Sequence, residues 1–80
     1  MRRKIQRLIE ALLNSAKKRG TEQGVNVYEM FIVKLKSASS EAKTEDLLRE
    51  INKNLAGIET WGYYSDEEFG YVKRLREMDE

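Results

Sequence analysis

The 80-residue chain has no cysteine, no histidine and no proline, and only one tryptophan. Without cysteine no disulfide can staple the fold, and thiolate nucleophiles are absent. Lacking both histidine and cysteine, it has no Ser-His or Cys-His nucleophile system. A zinc, haem or iron–sulfur site would have to be built from carboxylates alone, which those ions disfavour. The five glycines, at 20, 24, 57, 62 and 70, match neither a phosphate-binding loop nor a dinucleotide fingerprint. Asp66-Glu67-Glu68 lacks the alternating oxygens and the glycine of a calcium loop. These absences predict a protein that is not an enzyme and carries no cofactor or metal.

Long apolar runs are missing too. The longest aliphatic or aromatic stretch is Met30-Phe31-Ile32-Val33, far short of a membrane span. Arg7 and Glu10 interrupt what would otherwise resemble the apolar part of an export signal. A cytoplasmic protein without a membrane partner is the expectation. A chain of this length buries only roughly 60–65% of its unfolded surface, so one compact domain over residues 1–80 is expected. Self-association, with a two-fold dimer as its simplest form, would add buried area.

Charge is nearly balanced, at +1 overall, but unevenly distributed. Residues 1–19 carry a net +6, residues 20–57 a net −1 and residues 58–80 a net −4. That polarity suits antiparallel packing of oppositely charged segments, or a basic contact surface at one end.

The apolar pattern is helical. Ile5, Leu8, Ile9, Leu12, Leu13 and Ala16 repeat at i, i+3, i+4 and i+7, on one arc of about 140°. Lys17, Lys18 and Arg19 complement the negative end of that helix, and Gly20 stops it. Leu47, Leu48, Ile51 and Leu55 line a second helix capped by Thr44 or Ser40. Gly57 ends it, with Ile58 just beyond. Ser65 and Glu68 form a capping box opening a third, in which Phe69, Val72, Leu75 and Met78 fall on one side with Tyr71 beside them. Gly70 points to solvent.

Residues 25–36 read two ways. Val25, Val27, Phe31, Val33 and Leu35 alternate as in a strand. Val27, Tyr28, Phe31, Ile32, Leu35 and Ala38 also share a helical arc, with Asn26 and Glu29 in capping-box spacing. A twelve-residue strand would be unusually long. The expected fold is therefore all-α, with helices near 3–19, 26–37, 41–56 and 66–78. The alternative is an α+β fold in which 25–35 pairs with 58–64 or with 69–75.

Five of the seven aromatic residues lie within eleven positions: Trp61, Tyr63, Tyr64, Phe69 and Tyr71. The predicted nine-residue link 57–65 is longer than most helix–helix connections, and loops carry binding residues disproportionately. Aromatic anchors flanked by carboxylates suit a protein partner with apolar pockets ringed by Lys or Arg. Trp61, Tyr63, Tyr64, Glu59, Asp66 and Glu67 are the predicted contacts. The reading is a small regulator or inhibitor that acts by occupying another protein's surface. Cys-free chains of this size are common among phage and mobile-element regulators, which is a class-level expectation only. The alternative is a dimeric DNA-binding regulator. It would contact phosphates with Arg3, Lys4, Arg7 and Lys18, and read bases with the helix expected near 41–56 through Arg49, Asn52, Lys53 and Asn54.

Overall fold

The computed structural model describes residues 1–20, 22, 24–61 and 64–79, the side chains of Thr60 and Trp61 excepted. Four helices follow one another: α1 (Arg2–Lys18), α2 (Val25–Ser37), α3 (Glu41–Trp61) and α4 (Asp66–Met78). No strand occurs among the described residues. The all-α reading holds, and three of the four helices have the expected boundaries to within a residue.

α1 is set by its apolar stripe. Ile5, Ile9, Leu12 and Ala16 are buried, while Leu8 and Leu13 sit on the flanks, packed against the core. The helix ends as its sequence dictates. The Gly20 N–H donates to the Lys17 carbonyl at 3.1 Å with φ at +73°, a left-handed conformation that glycine adopts without strain.

α2 resolves the ambiguous segment. Tyr28, Phe31 and Leu35 enter the core, while Val33 is 64% exposed. A strand would have placed Val33 with Phe31 and Leu35 on one face. Of the pairing segments it needed, residues 58–61 are helical in α3 and 69–75 are helical in α4. The Asn26–Glu29 capping box does not form. Gly24 caps the helix instead, with φ at +79°, and a side chain there would meet the Tyr28 ring at 3.0 Å.

α3 departs most from expectation. It begins with the Ser40 hydroxyl accepting from the Lys43 N–H at 3.2 Å. It then runs through Gly57 to Trp61 instead of stopping near 56. Gly57 is exposed, and its missing side chain faces open space. The cost is thus the backbone term alone, about 1 kcal/mol. Two contacts beyond it offset that cost: Ile58 packs against the core, and Glu59 forms an ion pair with Arg76 of α4. The link between α3 and α4 therefore shrinks from nine residues to the four at 62–65.

α1 lies between α2 and α4, and α3 closes the ring on the far side. The connections fix direction. The Arg2 guanidinium donates to the Ala38 carbonyl at 2.8 Å, joining the start of α1 to the end of α2. Arg19 reaches Glu68, joining the end of α1 to the start of α4. α1 is thus antiparallel to both neighbours, as its basic charge and the acidity of 58–80 suggested. The core combines Ile5, Ile9 and Leu12 with Phe31, Leu35, Leu48, Ile51, Leu55, Val72 and Leu75, all essentially inaccessible to solvent.

Candidate functional site

The start of α4 is organised around one buried carboxylate. Glu68 is 2% exposed. Its Oε1 accepts from Arg19 Nη2 at 2.7 Å and from the Ser65 N–H at 3.0 Å, and its Oε2 accepts from Arg19 Nε at 3.0 Å. The Ser15 hydroxyl adds a further bond, and the Ser65 hydroxyl returns the capping interaction by accepting from the Glu68 N–H. Burial alone would raise the pKa of this carboxyl. The bonds from Ser15, Ser65 and Arg19 outweigh that and hold it below the usual carboxylate range. Glu68 is thus an ionised structural anchor with its oxygens already claimed.

Next to this clasp lies a tyrosine pair. The Tyr64 hydroxyl donates to the Leu55 carbonyl at 2.8 Å and lies within hydrogen-bonding reach of the Tyr28 hydroxyl. Both phenols are pushed above their ordinary pKa. Burial is the main cause for each, reinforced at Tyr64 by Tyr28 and at Tyr28 by the charge of Glu68. Tyr64, predicted as a partner contact, instead ties the chain entering α4 to the last turns of α3.

The other predicted contacts divide. Glu59 is exposed but committed to Arg76. Asp66 and Glu67 are exposed in the first turn of α4, where carboxylates complement the helix dipole. Glu67 also accepts from the Tyr71 hydroxyl at 2.7 Å, which raises the Tyr71 pKa. Tyr63 and the Trp61 side chain lie outside the described residues.

Phe69 was assigned to the apolar side of α4 but is 43% exposed. The buried register is Glu68, Val72 and Leu75, so the clasp takes the position in the turn that the ring would otherwise fill. One sequence signal existed for this. The capping-box glutamate stands at i, i+4 and i+7 with Val72 and Leu75, a better helical match than Phe69 makes. Phe69 and Asp66 are three residues apart on one helix, hence surface neighbours. An exposed ring beside the exposed carboxylate of Asp66 therefore exists here, made partly of different residues than predicted.

The residues of the nucleic-acid alternative are not brought together. Arg3 and Arg7 are exposed at the start of α1, whereas Lys18 lies at its far end beside Glu67 and Tyr71. On α3, Arg49 is bound to Asp46 at 2.5 Å, Asn52 donates to the Leu75 carbonyl at 3.0 Å, and Asn54 donates to the Glu50 carbonyl at 2.9 Å. Lys53 remains exposed. α3 thus spends its amides on the fold. No helix among the described residues is long and apolar enough to cross a membrane. No family model matches the chain, and no curated protein or solved structure shows significant similarity to it.

Proposed function

We propose that this is a non-catalytic regulatory or inhibitory protein that acts by binding another protein through the acidic, aromatic surface at the start of α4. The observation that carries the reading is Phe69, 43% exposed and one helical turn from the exposed carboxylate Asp66, with Glu67 exposed in the same first turn of α4. A large ring held out on a rigid helix supplies contact area at little entropic cost, and a carboxylate rim directs it to a pocket bordered by Lys or Arg. The clasp behind it, through Arg19 and Glu68, fixes the first turn and so pre-organises the surface. Trp61 and Tyr63, close in sequence, are proposed to extend the contact. Tyr64 is left out because its hydroxyl is engaged within the fold. Base reading by α3 is left out because Arg49, Asn52 and Asn54 are already bonded.

The test compares the wild type with Phe69→Ser/Glu67→Lys as affinity baits in cells of the source organism. The wild type should retain one protein in stoichiometric amount through a high-salt wash. The variant, with an unchanged helical circular dichroism spectrum, should lose it. Equal retention by both would exclude this surface.

A further inference from the structure

The start of α1 holds charge that no ion pair of the fold neutralises, although Arg2 also donates to the Ala38 carbonyl. Arg2, Arg3, Arg7 and Lys36 line one open cleft beside α1, and Lys4, Arg7 and Arg74 line another on its other side. Arg7 stands between the two and belongs to both. Six cations face these clefts against two carboxylates, Glu10 and Glu77, and Glu10 already accepts from the Gln6 amide at 2.8 Å. None of the six forms an ion pair with a described residue. The pairs among the described residues are Arg19–Glu68, Lys34–Glu50, Arg49–Asp46 and Arg76–Glu59.

We infer that these paired clefts are a second site, distinct from the surface on α4, and that it takes the phosphate backbone of duplex nucleic acid without reading sequence. Four of the six cations are arginines, whose planar guanidinium matches phosphate oxygens bidentately. The clefts are open and extend along both sides of one helix, a shape for a continuous polyanion rather than a single enclosed phosphate. Their lining contains Leu8 and Met78 but no aromatic ring. Bases have nothing to stack on, which favours an intact duplex over a single strand. With so little exposed apolar surface beside the charges, an anionic bilayer would gain only electrostatic contact. Arg3 and Arg7 are one helical turn apart, about 6 Å, and both are exposed, so they can engage the backbone together.

The experiment measures fluorescence anisotropy of a labelled mixed-sequence DNA duplex against salt concentration. The wild type should bind at low salt. Its log affinity should fall against log salt with a slope of about −5, which is six contacts at about 0.9 each. Arg3→Gln/Lys4→Gln/Arg7→Gln should weaken binding about tenfold or more and reduce the slope by about 3. A control with the same charge loss elsewhere, Lys17→Gln/Lys18→Gln/Lys53→Gln, should stay within about threefold of the wild type. Circular dichroism checks that both variants keep their helices. Three outcomes would overturn the proposal: no binding at low salt, equal weakening by the two triple variants, or preference for single strands or phosphatidylserine vesicles over the duplex.

Discussion

The two ends of α1 use the same residue type for opposite purposes. At one end Arg19 is bound bidentately by a carboxylate that is 2% exposed, and the pair joins α1 to α4. At the other end Arg3 and Arg7 are exposed and form no ion pair with a described residue. The difference lies in the neighbours. Glu68 reaches Arg19 because the capping box places it at N3, facing the end of α1, with Ser15 and Ser65 supplying the remaining bonds. No carboxylate of that kind faces Arg3 or Arg7. Charge bound inside belongs to the fold, and charge left outside is available to a ligand.

Breaking the bound end should give the largest effect. Glu68→Ala removes the capping box together with the bidentate Arg19–Glu68 pair. A loss of about 3 kcal/mol is expected, read as a lower urea midpoint. The same end should govern acid stability. Because the Glu68 pKa is held below its ordinary value, its contribution is complete above the unfolded carboxyl pKa of about 4.3. It is lost as pH falls through the lower folded value. The wild type should therefore lose stability below about pH 5, and Glu68→Gln should start weaker and show a flatter acid limb.

A smaller effect separates glycines the fold requires from glycines it tolerates. Gly24 has φ at +79° and lies against the Tyr28 ring, whereas Gly57 is helical with open space where a side chain would be. Gly57→Ala should stabilise by about 0.5–1 kcal/mol and firm the end of α3 that Tyr64 anchors. Gly24→Ala should destabilise by more than that gain. Paired thermal melts check both signs. If Gly57→Ala destabilises, the continuous α3 helix is the wrong account of that region.

Those two glycines also show how far the sequence could be read. α1 and α4 were legible because their signals agree locally: one apolar stripe, basic residues and Gly20 ending α1, and Ser65 with Glu68 opening α4. α2 was legible only by elimination, since Val33 fits a strand pattern and is nevertheless exposed. The end of α3 was misread because Gly57 is a local stop signal, whereas Ile58 against the core and Glu59 to Arg76 are tertiary contacts that override it. The site suffered in the same way. A long aromatic loop was expected, but the helix consumes half of it and Tyr64 turns inward. Phe69 emerges because a buried glutamate holds its place. The basic clefts were half visible as Arg3, Lys4 and Arg7 on one helix. Lys36 and Arg74 come from other helices and join them only in the folded chain.

The division between bound and free charge is tested most directly by urea denaturation of Arg19→Gln and Arg7→Gln beside the wild type at neutral pH. Arg19→Gln should cost about 1–2 kcal/mol, reduced from the fully buried case because the Arg19 side chain is 29% exposed and Glu68 keeps its bonds from Ser15 and Ser65. Arg7→Gln should stay within about 0.5 kcal/mol of the wild type. Equal losses from the two substitutions would contradict the account.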